Sequence, residues 1–351
     1  MKKILSGIVF ILLAIIVYIF YIFYSTGYFR EVENTFSGSI ERSIMLPGVE
    51  DMQVSYEDDF LLLSSDDRAS RRGGTVRQGH LYYIDLNSSS FEPKQLTTNL
   101  NIPFFPHGIS MIRRTSHAYK VYAINHVNGT HSIEVFDLYQ DSLIHIQTKR
   151  DNSMVSPNDI VAIDEEQFYF TNDHGFTKGL GKWGEEYLGL AVSNVIYFDG
   201  NSYREVAKGI AYANGINLDF RRNLLFVASP RNFLVKVYQR TVDGNLDFIE
   251  DIDCGSGVDN IEFANDGKIW IGCHPNLLAF TAYAQGRKPI SPSEIITIDY
   301  RGIGDYSRET IYMDEGNSMS ASTVAVSYHD HIFVGNVMED HFLILKKNNK
   351  K

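Results

Sequence analysis

Beyond residue 30 the chain runs as short apolar segments broken by turn residues, and only Lys182 to Leu190 suggests a short helix. Short apolar runs of this length, bounded by turn signals such as Asp199-Gly200, Asp243-Gly244 and Asp266-Gly267, predict an all-β body. One strand recurs six times: Phe60 to Ser65, Lys120 to Asn125, Gln167 to Asn172, Asn223 to Ala228, Lys268 to Cys273 and His331 to Asn336. Each copy follows a polar step that leads directly into an apolar residue. The steps are Glu50-Asp51, His107-Gly108, Asn158-Asp159, Asn214-Gly215, Asp259-Asn260 and Ser322-Thr323. From the first step to the last the mean spacing is about 54 residues, the length of four strands and their turns. The pattern therefore predicts a six-bladed β-propeller.

In such a ring the equivalent strand of every blade faces the axis, so positions far apart in sequence converge on the central tunnel. Here they carry Glu, His, Asn, Asn, Asp and Ser. Buried polar groups without partners cost about 1 to 3 kcal/mol each, so a common partner is expected. Glu50, Asn158, Asn214, Asp259 and Asn260 offer hard oxygens, and their two carboxylates nearly neutralise a dication. That fits calcium better than magnesium, with its strict octahedron, or zinc, which favours His and Cys. Asp51 and Asp159, one residue on, suit a second cation deeper in the tunnel. Taken singly, each of these residues also reads as a turn or strand-start cap.

His107 stands at a tunnel step and His126 at the end of the following strand. In a hairpin the two imidazoles reach the same tunnel mouth, where one could take a proton from water. A lone histidine in a core strand is usually structural, a reading that applies to His126 more than to His107. The chain lacks a G-x-S-x-G elbow, a P-loop, an H-E-x-x-H helix and a dinucleotide fingerprint, which disfavours those chemistries.

The remaining features place this body. Leu5 to Tyr24 is uncharged, long enough to span a bilayer, preceded by Lys2 and Lys3, and followed by no A-x-A site. We read residues 1–30 as a retained signal-anchor and residues 31–351 as the propeller, on the extracellular or lumenal side. Secretion after cleavage is the alternative. Asn87 and Asn128 head glycosylation sequons compatible with that side. With 43 acidic against 32 basic residues the net charge is −11, which argues against a nucleic-acid partner. Cys254 and Cys273 are the only cysteines; they read as small buried hydrophobes, with one disulfide left open, as is homo-oligomerisation.

The motifs P-H-G-I-S at Pro106 to Ser110, N-D-I-V-A at Asn158 to Ala162, T-N-D-H at Thr171 to His174, A-N-G-I-N at Ala213 to Asn217, V-D-N-I at Val258 to Ile261 and G-C-H-P-N at Gly272 to Asn276 resemble the paraoxonases. These are calcium-dependent arylesterases and lactonases built as six-bladed propellers, and the similarity runs from about Leu46 to Leu345. The resemblance implies two calcium ions. Glu50, Asn158, Asn214, Asp259 and Asn260 match the ligands of the catalytic ion, and Asp51, Asp159 and the main-chain oxygen of Ile109 those of the structural ion. His107 and His126 match the histidine dyad proposed to activate water. Arg68, Tyr212 and Thr323 match pocket-lining positions, with Arg68 standing where the family has a lysine, and His174 and His274 match supporting residues.

The chain lacks the cysteine pair that ties the mammalian N-terminal region to the last strand, and Cys273 matches the family's unpaired thiol. Ring closure must then rest on strand pairing and packing. The expected activity is hydrolysis of small lipophilic esters or lactones at a membrane surface. The alternatives are a non-catalytic, calcium-stabilised propeller that binds or chaperones membrane proteins, and a relative with strictosidine-synthase-like or sugar-lactone chemistry.

Overall fold

The computed structural model describes residues 2–348. Six antiparallel sheets are arranged in sequence around one axis. Blade 1 comprises Val49–Ser55, Phe60–Ser65, His80–Asp85 and Lys94–Gln95, and blade 2 comprises Pro106–Thr115, Ala118–Val127, Thr130–Tyr139 and Ser142–Lys149. Blade 3 is formed by Pro157–Ala162, Phe168–Asn172, Ser193–Phe198 and Tyr203–Ile210, and blade 4 by Ile216–Asp219, Leu224–Ser229, Leu234–Arg240 and Leu246–Asp253. Gly257–Phe263, Ile269–His274, Ser293–Gly302 and Asp305–Asp314 make blade 5. Blade 6 takes Ser322–Tyr328, His331–Asn336 and His341–Lys347 from the C-terminal end, and its outermost strand, Gly38–Met45, from the N-terminal end. The recurring sequence strand is the second strand of each blade, and each polar step lies at or just before the first.

Gly38–Met45 pairs with His341–Lys347, so both ends of the body share one sheet. Thr35–Phe36 adds to the edge of blade 5 by pairing with Tyr312 and Met313. Both cysteines are free and buried, so the ring closes through main-chain hydrogen bonds and packing, as the missing cysteine pair implied. The apolar interior consists of six clusters, one between each pair of neighbouring blades. The cluster at the closure, with Met52, Leu61 and Leu63 against Val324, Phe333 and Phe342, is as fully buried as the others. Burying apolar surface at about 25 cal/mol per Å² therefore stabilises the seam in the same way as any other blade contact.

Among the described residues, one α-helix precedes the strands and three interrupt them. Helix α1, Lys2–Ser25, is exposed from Lys3 to Tyr21 and contains a 23-residue segment whose most apolar 18-residue window has mean hydropathy 2.8, long and apolar enough to cross a membrane. Helix α2 is Arg68–Arg72, capped by the Asp67 side chain. Helix α3, Gly179–Leu188, confirms the short helix read near Lys182, whereas α4, Leu277–Ala284, was not anticipated because its run Leu277 to Ala284 is apolar all round.

The segment after α1 is attached to the propeller. The Leu277 amide donates to the Thr26 carbonyl at 2.9 Å. Gly27, at φ +72°, passes so close to blade 5 that a Cβ would lie 2.1 Å from the Pro275 carbonyl oxygen. Arg30 donates through both terminal nitrogens to Glu294 at 2.7 Å, and Glu294 is wholly buried. Arg30→Ala is expected to cost about 3 kcal/mol or more, because it strands a buried carboxylate. The measurement is thermal unfolding of the full chain in detergent, where a fall of about 6 °C is expected; an unchanged midpoint would show that Glu294 does not depend on this pair.

Candidate metal centre and catalytic pocket

A regular strand sends alternate side chains to opposite faces, so two adjacent polar residues should not both serve one tunnel. The polar steps meet this difficulty with bulges. In blade 3 the register with the second strand shifts between Pro157 and Ile160, around Asn158-Asp159. In blade 5 it shifts between Val258 and Ile261, around Asp259-Asn260. Blades 1, 2 and 6 shift at Glu50, at His107-Gly108 and at Thr323. A bulge sets two residues against one and re-aims side chains, which lets both members of a step stay buried by the axis. The glycines of these inner strands admit the next blade: a Cβ on Gly215 would lie 2.3 Å from the Asp259 carbonyl oxygen, and one on Gly108 2.5 Å from the Asp159 Cα.

Glu50, Asn158, Asn214, Asp259 and Asn260 are all buried. Each keeps one side-chain oxygen without a hydrogen-bond partner: Glu50 Oε2 and the Oδ1 atoms of Asn158, Asn214, Asp259 and Asn260. The other polar side-chain atoms of Glu50, Asn158, Asp259 and Asn260 are engaged. Asn260 donates to the Glu50 carbonyl at 2.9 Å and to its Oε1 at 3.0 Å. Asp259 Oδ2 lies 2.8 Å from His274 Nε2, and the His274 ring stacks on Phe280. Asn158 donates to Asp173 at 3.4 Å. Five orphaned oxygens from four blades, two of them carboxylate, form a donor set that suits a hard dication.

Asp51 and Asp159 are equally buried, and each uses both oxygens to accept a main-chain amide. Asp51 accepts from Met52 and, across the blade boundary, from Ile109 at 2.7 Å. Asp159 accepts from Ile160 and, across the next boundary, from Ile216 at 2.7 Å. Ile109 is thus beside Asp51, with its amide engaged there. Burial, then the neighbouring carboxylates Asp159, Glu262 and Glu50, push Asp51 well above the usual carboxylate range. Burial above all, with Glu50 and Asp259 adding to it, does the same for Asp159. The buried Glu262 of blade 5 joins this deeper group and is likewise raised by burial and by Asp159. It was overlooked in the sequence because it follows the polar step by two positions.

His107 Nδ1 lies 2.9 Å from His126 Nε2, and His107 Nε2 lies 3.3 Å from Glu50 Oε1. Burial alone would raise Glu50, but His107 and then Arg68 outweigh it and hold the carboxyl below its ordinary value. His126 is held well below the usual histidine range by burial and by His107 and His131 on either side, so it is neutral at pH 7.

A cavity of about 290 Å³ opens above these groups and is lined by Glu50, His107, Asn158, Asn214 and Asp259. Arg68, Tyr212 and Thr323 also line it, so the structure brings the three residues matched as pocket-lining together. Arg68 donates to the Pro106 carbonyl at 3.2 Å and keeps Nη1 buried without a partner. The Thr323 hydroxyl donates to the Glu50 carbonyl at 2.8 Å. The roof comes from Leu277, Leu278 and Phe280 of α4 and from Thr26. Asp173 was also missed, although it lies in the T-N-D-H motif; it pairs with His174 at 2.8 Å, and His174 packs edge-on to Tyr212. Asn87 and Asn128 are exposed on turns.

Among curated proteins, serum paraoxonase/arylesterase 1 of Homo sapiens is 32% identical over 268 residues, covering 74% of this chain and 74% of that protein. Serum paraoxonase/arylesterase 2 of Gallus gallus is 30% identical over 267 residues, 74% of this chain and 75% of that protein. Among solved structures, a luciferin-regenerating enzyme superposes with a TM-score of 0.56 at 10% identity, covering 91% of this chain and 96% of that one. Regucalcin from Agrobacterium tumefaciens gives 0.52 at 10% identity, over 90% and 96%. Both of these support the fold alone. The arylesterase family pattern matches residues 74–343, most of the propeller, and with the relatives at 30% identity and above it shows that this chain belongs to the arylesterase family of ester hydrolases.

Proposed function

We propose that the chain is a calcium-dependent hydrolase of lipophilic esters or lactones, with one calcium at Glu50, Asn158, Asn214, Asp259 and Asn260 and a second at Asp51, Asp159 and the Ile109 carbonyl. The observation that carries this reading is the set of five unpartnered buried oxygens on the five tunnel residues. Calcium held there supplies a Lewis acid that polarises an ester carbonyl and offsets negative charge developing on its oxygen. His107 and His126 act on the water. With the His107 Nδ1 proton donated to His126 Nε2, the His107 Nε2 lone pair is left at the cavity beside Glu50, free to take a proton from water. The unpartnered Arg68 Nη1 can donate to a polar substituent of the substrate, and Tyr212 and Thr323 shape the wall.

Lipophilic substrates are favoured by the apolar roof of α4 and by the surroundings of the mouth. Leu180, Trp183, Leu188 and Leu190 are exposed on and after α3, and the Tyr18 hydroxyl of α1 reaches the Leu188 carbonyl. With α1 retained in a bilayer, residues 1–30 form the anchor, and the cavity mouth of the 31–351 body opens at the lipid surface.

The test uses the full chain in mild detergent with calcium, offered phenyl acetate and a long-chain δ-lactone. Hydrolysis of both is expected, with the higher kcat/KM for the lactone. If the folded, calcium-loaded chain hydrolyses neither, the proposal fails.

A further inference from the structure

The histidine pair at the tunnel mouth continues outward. His126 and His131 are direct cross-strand partners in blade 2, joined by a tight turn through Asn128 at φ 52° and Gly129 at φ 78°. Asn-Gly suits a two-residue hairpin loop whose central residues need positive φ, and such a loop fixes the register. Directly opposed residues share one face of the sheet, and their rings meet edge to face with His126 Nδ1 2.7 Å from His131 Nδ1. His131 is half-buried and lines a shallow surface cleft of about 520 Å³ with Thr130, Arg150 and Asp151, well outside the tunnel. The three imidazoles thus form an unbroken hydrogen-bonded row from His107, beside Glu50, to the half-buried His131 at the surface cleft.

We propose that His131 is the outer member of a three-histidine proton relay, a positioning residue that lets the tunnel exchange protons with bulk solvent while the substrate fills the cavity. The proposal rests on the ester-hydrolysis reading above. The bonds admit two sets of tautomers, one for each direction of donation along the row, and the relay starts from the set in which His107 donates from Nδ1 to His126 Nε2 and His126 from Nδ1 to His131 Nδ1, leaving the proton of His131 on Nε2. As the water O–H bond breaks and its oxygen forms the new acyl C–O bond, His107 Nε2 takes the proton. His107 then releases its Nδ1 proton to His126 Nε2, His126 its Nδ1 proton to His131 Nδ1, and His131 its Nε2 proton to solvent. When the acyl C–O bond to the alcohol breaks, the leaving oxygen takes the proton from His107 Nε2. The row shifts back, with His131 recovering a proton from solvent. One water is consumed, and every imidazole returns to its starting tautomer.

Burial favours this traffic, because neither His126 nor His131 is stabilised as a resting cation. Burial and His107 lower both, and Asp173 only partly offsets this at His131. The test is His131→Gln in the full, calcium-loaded chain, assayed at low buffer concentration. A loss in kcat of about tenfold with KM unchanged is expected, together with saturable recovery on adding free imidazole, while the wild-type rate stays independent of buffer. An unchanged kcat, or a loss that imidazole does not restore, would overturn the relay. A second measurement is independent of turnover. Histidine-selective ¹⁵N NMR should show a hydrogen-bonded Nδ1–H on His126 that disappears in His131→Gln; its absence in the wild type would overturn the relay even if hydrolysis is observed. Its presence in a chain that hydrolyses no ester would instead place the failure in the assigned chemistry.

Discussion

Chelating calcium from the detergent-solubilised chain is expected to abolish hydrolysis of phenyl acetate and to lower the thermal midpoint by about 8 °C, with both recovering when calcium is restored. The carboxylates of Glu50, Asp51, Asp159 and Asp259 are all at most 4% exposed and lie by one axis. Burying like charges together is unfavourable unless a cation or protons intervene, and the upward displacement of Asp51 and Asp159 is the sign of that frustration. A ligand that binds only the folded ring at about a thousand times its dissociation constant stabilises it by about 4 kcal/mol, which at about 2 °C per kcal/mol gives the expected shift. The readouts are scanning calorimetry and the esterase rate in the same samples. A midpoint unaffected by chelation and by added calcium would mean that the tunnel carboxylates are satisfied without a cation, and the metal reading would fall.

His107→Gln should lower kcat for ester hydrolysis by about two to four orders of magnitude, the usual contribution of a general base, while leaving the calcium-dependent midpoint within a few degrees of wild type. Glutamine can still hydrogen-bond toward Glu50 and His126, the two groups His107 touches at 3.3 and 2.9 Å, so the tunnel wall is retained while the base is lost. Measuring kcat and KM separately, alongside calcium titration of the variant, divides chemistry from folding. A variant retaining more than about a third of the wild-type rate would exclude His107 as the base and move attention to Asp173 and His174 of the adjoining blade 3.

The sequence carried a large part of this architecture because a propeller repeats. Six copies of one strand preceded by one polar step give blade number, and the step falls at the axis by geometry, so the tunnel residues could be gathered from Glu50, Asn158, Asn214, Asp259 and Asn260 alone. The apolar helix was equally plain, since a charge-free run from Leu5 to Tyr24 is long enough to cross a membrane. Less was visible at the roof: α4 is apolar on every side, so its sequence reads as a buried strand as easily as a helix, and Thr26 reaches the cavity only because the chain doubles back over blade 5.

What the sequence determined by itself is therefore the periodic part, strands, blade count and the residues that repeat at the tunnel, together with one long apolar helix, all of which follow from local backbone preference and spacing. Tertiary structure decided the rest. Bulges at the polar steps turned adjacent side chains toward one axis, the strand Gly38–Met45 closed the ring without a disulfide, and Arg30 met Glu294 across 264 positions. Glu262 and Asp173 came beside the tunnel residues, and His131 beside His126, only once neighbouring strands set their register. Coordination, charge and proton transfer depend on distances of a few ångströms between residues remote in the chain, and those distances exist only when the ring has closed.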